Sequence, residues 1–205
     1  DNVTVTWNLT GTRTIFVNYT DANGCTATTS ATITNAPSTP PPVLNGPSPV
    51  CLNSTNNIYT TDAGKIDYEW TVVGGTITSG GTATDNTVTV TWNTTGTQSV
   101  SVNYADAGTG CKSANPTIKN VVVHPLPAAA ISGTAAVCQN ASGIVVTFTG
   151  SGGTVPYTFT FNINGGSSQT ISTSVWSISV TYFVPTGTPG TYTYTLESVS
   201  DNTGC

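Results

Sequence analysis

The stretch VTVTWNTTGTQSVSVNYADA, residues 88–107, decides how this chain is read, because it occurs twice. Residues 3–22 read VTVTWNLTGTRTIFVNYTDA, identical at 14 of 20 positions at an offset of 85. A Gly-Cys pair follows each copy, Gly24-Cys25 and Gly110-Cys111. A looser third copy, TYTYTLESVSDNTGC, fills residues 191–205 and closes on Asp201, Gly204 and Cys205. The openings recur as well: Cys51 lies in GPSPVCLNST (46–55) and Cys138 in GTAAVCQNAS (133–142). Recurrence at a fixed period marks a tandem array, here with a Val-Cys opening and a Gly-Cys closing in each unit.

Within the units, apolar and polar residues alternate. In 65–72 the even positions Ile66, Tyr68, Trp70 and Val72 are apolar; in 87–92 the apolar set is Val88, Val90 and Trp92; in 99–104 it is Val100, Val102 and Tyr104. YTFTF (157–161) and YTYTL (192–196) repeat the pattern. Period two with one buried face predicts strands of antiparallel β-sandwiches. Asn164-Gly165-Gly166 and Gly74-Gly75 read as hairpin turns. Trp7, Trp70 and Trp92 fall on the apolar side of their strands and read as core. The fold class expected is therefore all-β: tandem antiparallel β-sandwich modules, each with a disulfide.

The frame divides the chain. Residues 1–35 read as the C-terminal part of a module, 36–43 as a Pro-rich linker (APSTPPP at 36–42), 44–124 as a complete module, and 125–205 as a second module after the HPLP junction at 124–127. Opening and closing cysteines of one unit are expected to pair, Cys51 with Cys111 and Cys138 with Cys205. Cys25 is left for a cysteine upstream of residue 1. Such a framework points to an oxidising, extracellular compartment.

Composition narrows function. Only 6% of the 205 residues are charged, the net charge is −5, and there is a single His. Thr, Ser and Asn make up 43, 19 and 18 residues. An acidic chain without a basic stripe is not expected to bind nucleic acid. No apolar run approaches the roughly 18 residues of a membrane-spanning helix, so no direct membrane insertion is expected. The apolar residues are strand formers, and strong helix formers are scarce. Thr suits solvent-facing strand positions, supplying a polar group without charge.

The catalytic inventory is thin. His124, the lone imidazole, sits beside Pro125 at a junction, where a triad would have to recruit it. Asp67 and Glu69 share a strand face, about 7 Å apart by strand rise, but their apolar neighbours direct both acids to open solvent. No catalytic residue is assigned and no enzyme is expected. Asp21, Asp62, Asp85, Asp106 and Asp201 lie in or near turns without forming a calcium loop, so no metal or other cofactor is assigned, calcium being the one alternative. Trp176, in STSVWSISV (172–180), is the candidate for an exposed aromatic contact. Asn2, Asn8, Asn18, Asn53, Asn93 and Asn140 head Asn-x-Ser/Thr sequons.

The segments YEWTVVGG (68–75), DNTVTVTWNTTGTQSVSVNYADAGTGC (85–111) and GTAAVCQNASGIVVTFTGSGGTVPYTFTFNINGG (133–166) resemble PKD-like or immunoglobulin-like modules. Together they resemble the tandem repeats of giant cell-surface adhesins of Bacteroidetes, of the SprB gliding-motility type. No WDFGDG stretch of the usual PKD pattern is present. The resemblance implies export by type IX secretion, display at the outer-membrane surface, and adhesion to surface polysaccharide or another target, with neighbouring modules of the same protein as partners. It carries over no catalytic residue. Spacer or carbohydrate-binding modules of a secreted polysaccharide-degrading enzyme, or a subunit of an extracellular filament, are the alternatives.

Overall fold

A computed structural model describes residues 4–5, 11–36, 39–133 and 135–205. The described residues are all-β, with fifteen strands and no helix. The segment holding Trp7, Asn2 and Asn8 lies outside them. The chain divides into two compact units, one comprising Asp1–Pro49 with Asn53–Val122, the other Val50–Leu52 with Val123–Cys205.

In the first unit β1 (Gly11–Thr20) and β2 (Thr26–Ala36) form an antiparallel hairpin. β4 (Asn57–Thr60), β7 (Thr87–Trp92) and β6 (Gly75–Gly80) make one antiparallel sheet. β5 (Ile66–Val73) and β8 (Gly96–Ala105) pair antiparallel, and β9 (Thr117–His124) follows in the same sheet. The last two residues of β9, Val123 and His124, pair in parallel with β3 (Val50–Cys51), all four belonging to the second unit.

The alternation in sequence becomes a buried face. Val88, Val90 and Trp92 are fully buried, as are Val100, Val102 and Val121. The Trp92 ring meets Tyr59 edge-on at 6.0 Å, and its indole N–H donates to the Tyr59 hydroxyl. That hydroxyl donates in turn to the Pro47 carbonyl, so both polar handles are satisfied where they are buried. Thr87, Thr89 and Thr91 take the intervening, half-exposed positions.

Two expectations change here. Ile66 does not join the core but stands 44% exposed. Pairing with β8 is irregular between Ile66 and Glu69, and Asp67 adopts φ 52°, which turns Ile66 off the inward series. Gly74-Gly75 is not a hairpin turn: β5 pairs with β8 and β6 with β7, so Gly74 carries the chain from one sheet to the other. Its φ of +82° and the 2.7 Å approach of a Cβ on Gly75 to Val90 Cγ1 explain the glycines. Residues 39–45, in the stretch read as linker and module start, are hydrogen-bonded into this unit. Pro42 is buried and its carbonyl accepts from Thr117 Oγ1, the Val43 amide donates to Asp62, and Asn45 bridges Thr60.

The second unit is a sandwich of two three-stranded antiparallel sheets. One orders β10 (Ala128–Ser132), β11 (Val145–Ser151) and β14 (Ser179–Phe183); the other β13 (Gln169–Ser172), β12 (Thr158–Ile163) and β15 (Tyr194–Ser200). YTFTF supplies the core: Tyr157, Phe159 and Phe161 are buried against Val146 and Phe148. Phe161 lies 4.8 Å from Phe148 and 5.2 Å from Tyr182, centroid to centroid. Gly150 leaves room for the Tyr157 ring, which a Cβ there would meet at 2.5 Å. Asn164 and Gly165, with φ 52° and 70°, make the expected tight turn between β12 and β13.

The cysteine pairing differs from expectation. Cys51 bonds Cys205, with a Cα–Cα distance of 5.7 Å and a sequence separation of 154. Neither Cys51–Cys111 nor Cys138–Cys205 forms. Cys51 sits on β3 in the same compact unit as Cys205, within the distance a disulfide spans. Cys111 is buried in the other unit, its thiol directed at the Thr109 carbonyl. Cys25 and Cys138 are exposed thiols.

Candidate functional site

The three closing turns are one structure repeated. Asp21 Oδ1 accepts from the amides of Asn23 and Cys25. Asp106 Oδ1 accepts from the amides of Gly108 and Thr109 and from the Thr109 hydroxyl. Asp201 Oδ1 accepts from the Thr203 amide and hydroxyl and, at 3.3 Å, from the Cys205 amide. In each, an Asp side chain satisfies the donors of a turn whose Gly then takes positive φ: Gly24 79°, Gly110 70° and Gly204 84°. In the sequence these acids lie in or near turns, and the signal for their role is the Asp four or five residues ahead of each closing cysteine.

Asp201 reaches furthest. It is 8% exposed, and its Oδ2 also accepts from the Thr154 amide at 2.8 Å. Burial pushes its carboxyl up, but the hydrogen bonds from Thr203, Thr154 and Cys205 outweigh burial and leave it below the ordinary value. Asp106 faces Lys65 at 2.7 Å, and that ion pair, with the turn amides, draws its carboxyl down to about 2. Beside it, Asp62 accepts from the Tyr104 hydroxyl at 2.6 Å, while the Tyr68 hydroxyl donates to the Asp62 carbonyl. The Tyr104 bond, then the Val43 amide, hold Asp62 low; burial and Asp62 push Tyr104 up. Every carboxylate in this knot already has donors. Asp85 is likewise taken up by Thr82. Among the described residues, no group of three or more His, Cys, Asp or Glu gathers as metal ligands.

The remaining candidates stand apart. Glu69 binds Lys112 at 2.5 Å on an exposed face, and Asp67 lies at the irregularity of β5. His124 ends β9, paired with Cys51. Trp176 is 93% exposed, in a turn closed by the Ser177 amide donating to Ser174, and Val175 and Ile178 beside it are more than half exposed. The described sequon residues Asn18, Asn53, Asn93 and Asn140 are exposed.

The second unit also has an open cleft of about 790 Å³, lined among others by Ile131, Val137, Val145, Val146, Pro185 and Tyr194. Cys138 lines it. Among the described residues, no helix is long and apolar enough to cross a membrane.

Paired sheets, a turn built on an Asp hub and repeated, and a disulfide define a β-sandwich repeat module, consistent with an extracellular or surface protein. Residues 36–119 match the family model described as PKD-like domain, so a PKD-like domain is found over that span. No curated protein sequence matches the chain. A solved structure, InvD of Yersinia pseudotuberculosis, aligns over 92% of this chain and 75% of its own at 15% identity, with a TM-score of 0.33.

Proposed function

We propose that this chain is a repeat segment of a large secreted cell-surface adhesin of the SprB type, a stiff stalk in surface attachment and gliding motility. It would be exported by type IX secretion and displayed at the outer-membrane surface. In this reading the modules carry no catalysis, insert in no membrane and bind no nucleic acid. Their partners are neighbouring modules and, through the whole adhesin, a surface polysaccharide or other target. The observation that carries it is the bond between Cys51 and Cys205, which holds 154 residues of separation shut against a pull along the chain.

Single-molecule stretching of the chain tests it. Under oxidising conditions, extension should come only from residues outside the 51–205 loop. With reductant, about 55 nm more should appear, from roughly 3.6 Å per residue over that loop. Release of the full contour without reductant would sink the mechanical reading.

Trp176 favours a second reading, in which the modules are spacers or carbohydrate binders of a secreted polysaccharide-degrading enzyme. An aromatic face 93% exposed could stack on a sugar ring. The stalk reading expects a blank glycan array; a specific signal abolished by Trp176→Ala would favour the second.

A further inference from the structure

The two openings share one geometry but differ in what covers them. Asn53 and Asn140, two residues after their cysteines, have φ 59° and 63°. The Asn53 amide donates to the carbonyl of Trp92, and the Asn140 amide to that of Thr186. Yet Val50 is 9% exposed and Cys51 is bonded, whereas Val137 is 43% exposed and Cys138 is an exposed thiol on the cleft. The first opening is covered by the end of β9, the strand that follows the closing turn of its own repeat, and bonded to Cys205, the closing cysteine of the next repeat.

From this we infer a docking rule. The cleft at Cys138 receives the strand that follows Cys205 in a longer array, and the Cys138 thiol bonds the closing Gly-Cys turn of the following repeat. The rule rests on the repeat frame and not on the adhesin reading. It makes each bond run from an opening cysteine to the closing cysteine one repeat downstream. Formation is an exchange with an external disulfide such as oxidised glutathione: two cysteine thiols give up two electrons and two protons, and the external disulfide leaves as two thiols.

The test extends the chain: residues 1–205 followed directly by a second copy of 112–205, which supplies both a copy of β9 and a closing turn. After oxidation with glutathione, non-reducing peptide mapping should find Cys51 bonded to the first-copy Cys205 and Cys138 bonded to the terminal cysteine of the appended copy. Iodoacetamide labelling of Cys138 in the folded state should fall at least tenfold relative to the unextended chain. Cys138→Ser in the extended chain should free the terminal cysteine for labelling while the Cys51 bond persists. The rule is overturned if Cys138 labels as fast as before with the Cys51 bond intact. It is equally overturned if the terminal cysteine bonds the opening cysteine of its own copy, or if Cys138 links two molecules.

Discussion

At the residue scale, the closing turn concentrates its stability in one carboxylate. Asp201 is nearly buried and accepts four hydrogen bonds. Asp201→Ala strands those donors and should cost about 3 kcal/mol, read as a fall in the urea midpoint. The acids also set an acid limit. Asp62, Asp106 and Asp201 are all held below their ordinary values. A lowered carboxyl stabilises the fold fully above its unfolded pKa, near 4, and loses that contribution as pH falls through the folded value. Urea midpoints should therefore be flat from pH 8 to about 5 and fall steeply between pH 4 and pH 2, the range over which Asp106, at about 2, takes up its proton. A flat profile down to pH 2 would remove these groups from the account. Alternation in sequence identified Val88, Val90 and Trp92 as core, because period two needs only a regular strand. It misplaced Ile66 because the irregularity at Asp67 depends on backbone geometry that Asp itself does not announce.

At the element scale, the second unit depends on aromatic packing between β11 and β12. Phe159 lies 5.6 Å from Phe148 and is fully buried. Phe159→Ala should cost about 4 kcal/mol through lost burial and the cavity left behind. Gly150→Ala, which drives a Cβ into the Tyr157 ring, should cost about 2 kcal/mol by overpacking. Both effects belong to unfolding of the second unit, and hydrogen exchange resolved by unit would check that. YTFTF was legible as this core because its alternating rings have nowhere else to go. The Gly74-Gly75 step was not: a turn signal states that the chain bends, and pairing partners decide whether it returns along its own sheet or crosses to another.

At the scale of the whole molecule, the repeat frame was legible and the covalent connection was not. Loop-closure entropy distinguishes a loop of 154 residues from one of 60 by only about 0.8 kcal/mol, so spacing alone cannot choose between pairings. β3 lies against the end of β9, and Cys51 thereby falls in the compact unit that holds Cys205. Cys51→Ser should lower stability by about 5 kcal/mol in the chain-entropy picture of a loop this long, measured by urea unfolding against the oxidised parent. A chelator should leave the melting temperature unchanged, since the turn acids are already occupied by donors of the chain; a drop of several degrees would bring calcium back.

The Thr positions of β7 and β11, half-exposed between buried neighbours, bear on the medium in which the protein can work. A surface polar through hydroxyls presents few fields for dissolved ions to screen. Solubility and folding should then differ little between fresh water and sea salt. A surface made of lysines and glutamates would have to be retuned for each habitat; one made of threonines carries its own indifference to salinity.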